Sequence, residues 1–107
     1  MPLETALRQQ IASRIRSAVP SVREVLLFGS QARGEARDDS DIDLLLLVPE
    51  GADKTAIAIA ARRSLWGIDR GFDVLVLTSA DWQRLQGSRA WYDRQMAREA
   101  VRLDEVA

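Results

Sequence analysis

The residues of this chain best equipped for chemistry are three aspartates and a Gly-Ser pair. Asp41 and Asp43 flank Ile42 at the start of an apolar run, Leu44-Leu45-Leu46-Leu47-Val48, which has the character of a strand. Side chains at i and i+2 of a strand leave from the same face, so the two carboxylates stand side by side. Like charges so placed destabilise one another unless a proton or a cation intervenes, which makes the pair a candidate for divalent-metal binding. Asp73 bears the same relation to a second apolar run, Val74-Leu75-Val76-Leu77, one residue in from its start. If the two strands are neighbours, three carboxylates converge. Such hard oxygen ligands suit Mg²⁺, and a pair of these ions is able to clamp the attacking and leaving oxygens of an in-line phosphoryl displacement.

The Gly-Ser pair supplies the complementary part. Gly29-Ser30 ends an earlier apolar run, Val25-Leu26-Leu27-Phe28, and offers backbone N–H groups unblocked by a side chain together with a hydroxyl, a combination suited to triphosphate oxygens. Arg33 and Arg37 follow as candidates for neutralising phosphate charge. Ser40, beside Asp41, is grouped with Gly29, Ser30 and Arg33 as nucleotide-binding, while Asp38-Asp39-Ser40 also has the composition of a turn.

Composition narrows the chemistry further. The absence of histidine and cysteine excludes imidazole acid–base catalysis, thiol nucleophiles and Cys/His zinc sites. Fifteen basic against sixteen acidic residues give a formal charge of -1, which disfavours a protein that tracks a long nucleic-acid backbone. A length of 107 residues predicts one domain spanning 1–107, and a 47% hydrophobic content predicts that it folds. The N-terminus has no signal-peptide pattern and no apolar run reaches membrane-spanning length, so a soluble cytoplasmic protein is expected.

The elements that must position these residues follow from periodicity. Leu3, Leu7, Ile11 and Ile15 recur every fourth residue, predicting an amphipathic helix closed by Pro20-Ser21. A mostly buried strand follows from Val22 to Phe28, then a polar loop or single turn over residues 31–40. The strand from Asp41 to Val48 is apolar on both faces, which places it in the middle of a sheet. A second helix is predicted from Asp53 to Trp66 with Gly67 as its C-terminal cap, and a third strand from Phe72 to Leu77. Thr78-Ser79 starts another helix that Gly87-Ser88 breaks; a last helix, from about Arg89 to Glu99, turns Tyr92, Met96 and Ala100 inward. Val101-Arg102-Leu103 alternates like a short edge strand. The order is α-β-β-α-β-α-α-β, an α/β (α+β) fold with a mixed sheet and helices packed on it. Trp66, Trp82 and Trp91 are expected to pack the core, with at most one serving a nucleotide or a partner.

The spacing Gly29-Ser30, ten residues, Asp41-Ile42-Asp43 resembles the signature of the polymerase-β-like nucleotidyltransferase superfamily. The fuller string from Phe28 to Leu44 is similar to the branch of minimal nucleotidyltransferases, short prokaryotic domains often encoded beside a helical HEPN partner and acting as its antitoxin. The resemblance runs from Val22 to Leu77 and resumes in Met96-Ala-Arg-Glu-Ala-Val-Arg-Leu. It implies that Asp41 and Asp43 bind the metals, that Asp73 helps activate the attacking hydroxyl, and that Gly29 and Ser30 hold the nucleotide phosphates. No residue of that signature is substituted.

Expected from the resemblance is Mg²⁺-dependent transfer of AMP from ATP to a hydroxyl, a tyrosine of a HEPN ribonuclease toxin, neutralising it. Two other readings stand beside it: an antitoxin that inhibits the toxin by covering it without catalysis, and nucleotidylation of a small molecule such as an antibiotic. Larger relatives carry a further domain that holds the base or the acceptor, so a partner is expected to complete the site. A polymerase or tRNA-tailing core is disfavoured by size and charge.

Overall fold

The computed structural model describes residues 4–29, 41–90, 95 and 97–103. Helix α1 (Thr5–Ala18) leads into β1 (Glu24–Phe28); then come β2 (Ile42–Val48), α2 (Lys54–Ser64), β3 (Phe72–Thr78), α3 (Ser79–Gln86) and β4 (Val101–Arg102). Gln95 and residues 97–99 are helical. The predicted loop over residues 31–40 and the inward face drawn through Tyr92 and Met96 lie outside the described residues.

The four strands form one mixed sheet in the order β3-β2-β1-β4. β1 runs antiparallel to both β2 and β4, and β2 runs parallel to β3. A parallel pair needs a crossover, and α2 provides it. β2 is hydrogen-bonded on both sides and covered on both faces, which accounts for its unbroken apolar run from Leu44 to Val48.

Ile42, Leu44, Leu46 and Val48 point to one face, where they meet Ile11 and Ile15 of α1, Ala61 of α2 and Leu65. Each fully buried aliphatic side chain there contributes about 1.5–3 kcal/mol relative to exposure. The opposite face carries a smaller cluster, Leu26, Leu45 and Leu47, packed against Phe28, Leu77, Ala100 and the Trp82 side chain of α3. Ala100 thus takes the inward position predicted for it.

Local signals set the helix ends. The Asp53 carboxylate accepts the Ala56 N–H at 3.1 Å and caps α2. A capping box starts α3: the Thr78 hydroxyl accepts from the Asp81 N–H at 3.1 Å, and the Asp81 carboxylate accepts from the Thr78 N–H at 3.0 Å. Asp81 is also paired with Lys54 of α2 at 2.9 Å and with Arg84. Arg14 of α1 donates to the carbonyls of Ser64 (3.3 Å) and Trp66 (2.8 Å), tying down acceptors freed at the end of α2.

Trp66 departs from the expectation that the tryptophans pack the core. Its side chain is 75% exposed. α2 ends at Ser64, Leu65 takes the last inward position, and the chain turns away through Gly67, so the indole falls outside. Trp91 lies outside the described residues. At the other end Leu103 is fully buried and donates its N–H to the Val25 carbonyl at 2.9 Å, while Arg8 binds the carbonyls of Arg102 and Leu103. Among the described residues no helix is long and apolar enough to cross a membrane.

Candidate active site

Three strand ends meet at one end of the sheet. β1 finishes there, whereas β2 and β3, running the other way, begin there. The antiparallel register sets Phe28 opposite Asp43, so the next residue, Gly29, arrives beside the Asp43 carboxylate. Gly29 has a φ of 70°, the left-handed region that glycine enters without steric cost. A Cβ at this position would lie 3.3 Å from Cγ of Asp43 and closer still to its Oδ2. Both the backbone and the carboxylate therefore require glycine.

The parallel register sets Asp43 directly opposite Asp73. Neighbouring strands lie about 4.8 Å apart, and register partners project from the same face, so the two carboxylates are within reach of a common ligand. Ile42 pairs with Phe72 and donates its N–H to the Gly71 carbonyl at 2.8 Å, which carries the register one step outward to Asp41 and Gly71. A Cβ on Gly71 would stand 2.9 Å from Cγ of Asp41. The carboxylate of Asp41 thus leans toward β3, while that of Asp43 leans toward β1.

This corner belongs to the sheet face that α1 and α2 leave uncovered. Leu45 and Leu47 continue the line of Asp43 along β2 and are buried by the smaller cluster, so the face passes from apolar and covered to the half-buried Asp43, with the exposed Asp41 and Asp73 beside it. On β3, Leu75 follows Asp73 on the same side and is 37% exposed, an apolar shoulder beside the carboxylates.

The structure brings together Gly29, Asp41, Asp43 and Asp73. Ser30, Arg33, Arg37 and Ser40 lie outside the described residues. Two neighbours of the carboxylates were not singled out from the sequence. Gly71 reads there only as the lead into a strand, and Leu75 only as part of an apolar run; the alignment of β3 with β2 is what gives each a place beside the acids.

Among the described residues no three acidic side chains are drawn up closely enough to cage a metal ion. The donor set nonetheless fits Mg²⁺, a hard cation that binds through one or two carboxylates, keeps several waters and takes its other ligands from substrate phosphates. Gly29 and Gly71, each placed against one of the carboxylates, present no Cβ where those further ligands would have to come.

The family model described as nucleotidyltransferase domain matches residues 8–104. The chain belongs to the nucleotidyltransferase domain family. A comparison with curated proteins finds no match. Among solved structures, a chain from a toxin–antitoxin complex with AMP-PNP superposes with a TM-score of 0.64 at 22% identity, over 90% of this chain and 71% of that one. A chain from the complex of a Shewanella oneidensis tri-AMPylated HEPN toxin with its MNT antitoxin gives a TM-score of 0.61 at 23% identity, over 94% and 71%. These two likenesses establish the nucleotidyltransferase fold. A minimal nucleotidyltransferase of nearly the same extent is 32% identical, with a TM-score of 0.55 over 94% of this chain and 95% of that one. The mixed sheet and its helices are those of the family.

Proposed function

We propose that this nucleotidyltransferase, with residues 1–107 acting as one domain, is the antitoxin of a HEPN toxin–antitoxin pair. In this reading it transfers AMP from ATP to a tyrosine hydroxyl of the toxin in the cytoplasm. The observation that carries the reading is the register that sets Asp43 opposite Asp73 at the sheet end where Gly29 also arrives. The nucleotide complex and the AMPylated toxin among the structural relatives support the donor and the acceptor.

Asp41 and Asp43 would hold a pair of Mg²⁺ ions, with Asp73 sharing the site. Bound Mg²⁺ supplies positive charge at the phosphate oxygens, where negative charge builds up. Gly29, Ser30, Arg33 and Ser40 bind and orient the triphosphate. Asp73 accepts the proton of the acceptor hydroxyl as its oxygen forms a bond to the α-phosphorus; the bond from that phosphorus to the bridging oxygen breaks, and pyrophosphate leaves. The open acidic corner admits an acceptor carried by another protein.

The test is to incubate the protein with its HEPN partner, Mg²⁺ and ATP labelled at the α-phosphate. Label should appear on the toxin and be lost with Asp41→Ala plus Asp43→Ala, and the toxin's ribonuclease activity should return. Inhibition undiminished by the double substitution would refute a catalytic antitoxin and leave one that acts by covering its partner.

A further inference from the structure

We infer that Gly71 is a positioning residue for Asp41: its missing side chain sets where the Asp41 carboxylate stands. The inference rests on the reading of Asp41 as a metal ligand. Glycine is required either where φ is positive or where another group comes too close for a Cβ. Among the described residues the positive-φ glycines are Gly29, Gly51 and Gly67, and Gly71 is not one of them. Its carbonyl accepts the Ile42 N–H at 2.8 Å, which any residue's carbonyl would do. What a side chain would meet first, among the described residues, is Asp41: the three atoms nearest a Cβ at position 71 are its Oδ1, Cγ and Oδ2.

The consequence is electrostatic. Asp41 and Asp43 leave β2 on the same side, two residues apart, and two carboxylates so placed repel. Gly71 on one flanking strand and Gly29 after the other give each carboxylate a separate recess, Asp41 toward β3 and Asp43 toward β1. The two glycines thus let the carboxylates lean away from one another, toward opposite flanking strands. A methyl group at position 71 would push the Asp41 carboxylate out of its recess, either back toward Asp43 or out into solvent. Either movement spoils ligand geometry without touching Asp43 or Asp73.

Four proteins decide the matter: wild type, Gly71→Ala, Asp41→Ala and the double variant. Mn²⁺ binding, read from the spectrum of free Mn²⁺, and the thermal midpoint are measured for each. Wild type should bind Mn²⁺, Gly71→Ala at least tenfold more weakly, and Asp41→Ala comparably weakly. In the Asp41→Ala background, Gly71→Ala should leave the affinity unchanged and should not lower the midpoint, because the group it collides with is gone. Gly71→Ala unfolded while the double variant folds would also support the inference.

Wild-type affinity in Gly71→Ala would overturn it, as would an equal loss from Gly71→Ala in both backgrounds or the failure of both Gly71 variants to fold. Wild type that takes up no Mn²⁺ would refute the metal-site reading itself and carry the inference with it. The first three outcomes leave that reading intact.

Discussion

Replacing Gly29 by alanine should damage the site far more than the fold, and a matched substitution elsewhere separates the two effects. Gly29 and Gly51 both have positive φ, 70° and 83°. A Cβ at Gly51 would meet nothing within 4 Å, whereas one at Gly29 would overlap the Asp43 carboxylate. Holding an L-residue in the left-handed region costs about 1–2 kcal/mol. For a domain of this size that corresponds to a fall of about 4–16 °C in thermal midpoint, and Gly51→Ala should show only this fall. Gly29→Ala carries the same strain and also has to move the Asp43 carboxylate. The atom Cγ, 3.3 Å from the new methyl, and the nearer Oδ2 must retreat by roughly 1 Å, and misplacement on that scale costs about 100-fold in rate. Thermal melts by circular dichroism and initial rates of labelled AMP transfer to the HEPN partner provide the two axes. The expected result is a similar loss of midpoint for both variants, with transfer near wild type in Gly51→Ala and down about 100-fold in Gly29→Ala. Transfer rates within about threefold of each other would show that Gly29 does not set the position of Asp43, and the contact would have no catalytic meaning.

Two further outcomes test the frame that holds the site. Leu46, fully buried in the central strand, should cost about 2–5 kcal/mol as Leu46→Ala, seen as a lower urea midpoint with an unchanged slope; a loss below about 1 kcal/mol would contradict the packing described. The hydrogen bond from Lys54, followed by that from the Thr78 backbone, holds the Asp81 carboxyl well below the ordinary carboxylate range. A carboxyl depressed in the folded state contributes stability that is complete above its unfolded pKa, about 3.9, and is lost as pH falls toward the folded value. The midpoint difference between wild type and Asp81→Asn should therefore be constant near neutrality and shrink below about pH 4, and a difference that grows on acidification would reverse the assignment. The exposed position of Lys54 keeps this effect small.

The elements were legible in the sequence because each announces itself locally. Ile11 and Ile15 mark the inner stripe of α1, Asp53 and Thr78 mark where the helices that follow them begin, and the unbroken apolar run of β2 marks a central strand. Trp66 was misread because a helical stripe says nothing about where the last turn stops, and Leu65 takes the inward place one residue earlier. The strand register was not legible either. A run such as Leu44 to Val48 is apolar at every position, so its pattern does not distinguish one alignment from the next. That is why Asp41, Asp43 and Asp73 were recognised from their spacing and strand positions, while Gly71, which only the register brings opposite Asp41, was not.

The register is nevertheless fixed, and by the core. Phe72, Val74 and Val76 pack against the cluster formed with α1 and α2, and Asp73 alternates to the open face. A slip of one residue between β3 and β2 would drive Asp73 into that apolar cluster and put Phe72 or Val74 opposite Asp43. Burying an unpaired carboxylate costs several kcal/mol, a large part of the 5–15 kcal/mol that stabilises a typical domain. The packing that makes the sheet fold in one alignment is thus the same interaction that sets Asp73 beside Asp43 and Gly71 beside Asp41. For that reason substitutions in the α1/α2-facing core of β3, remote from any substrate, should act on the site through the register.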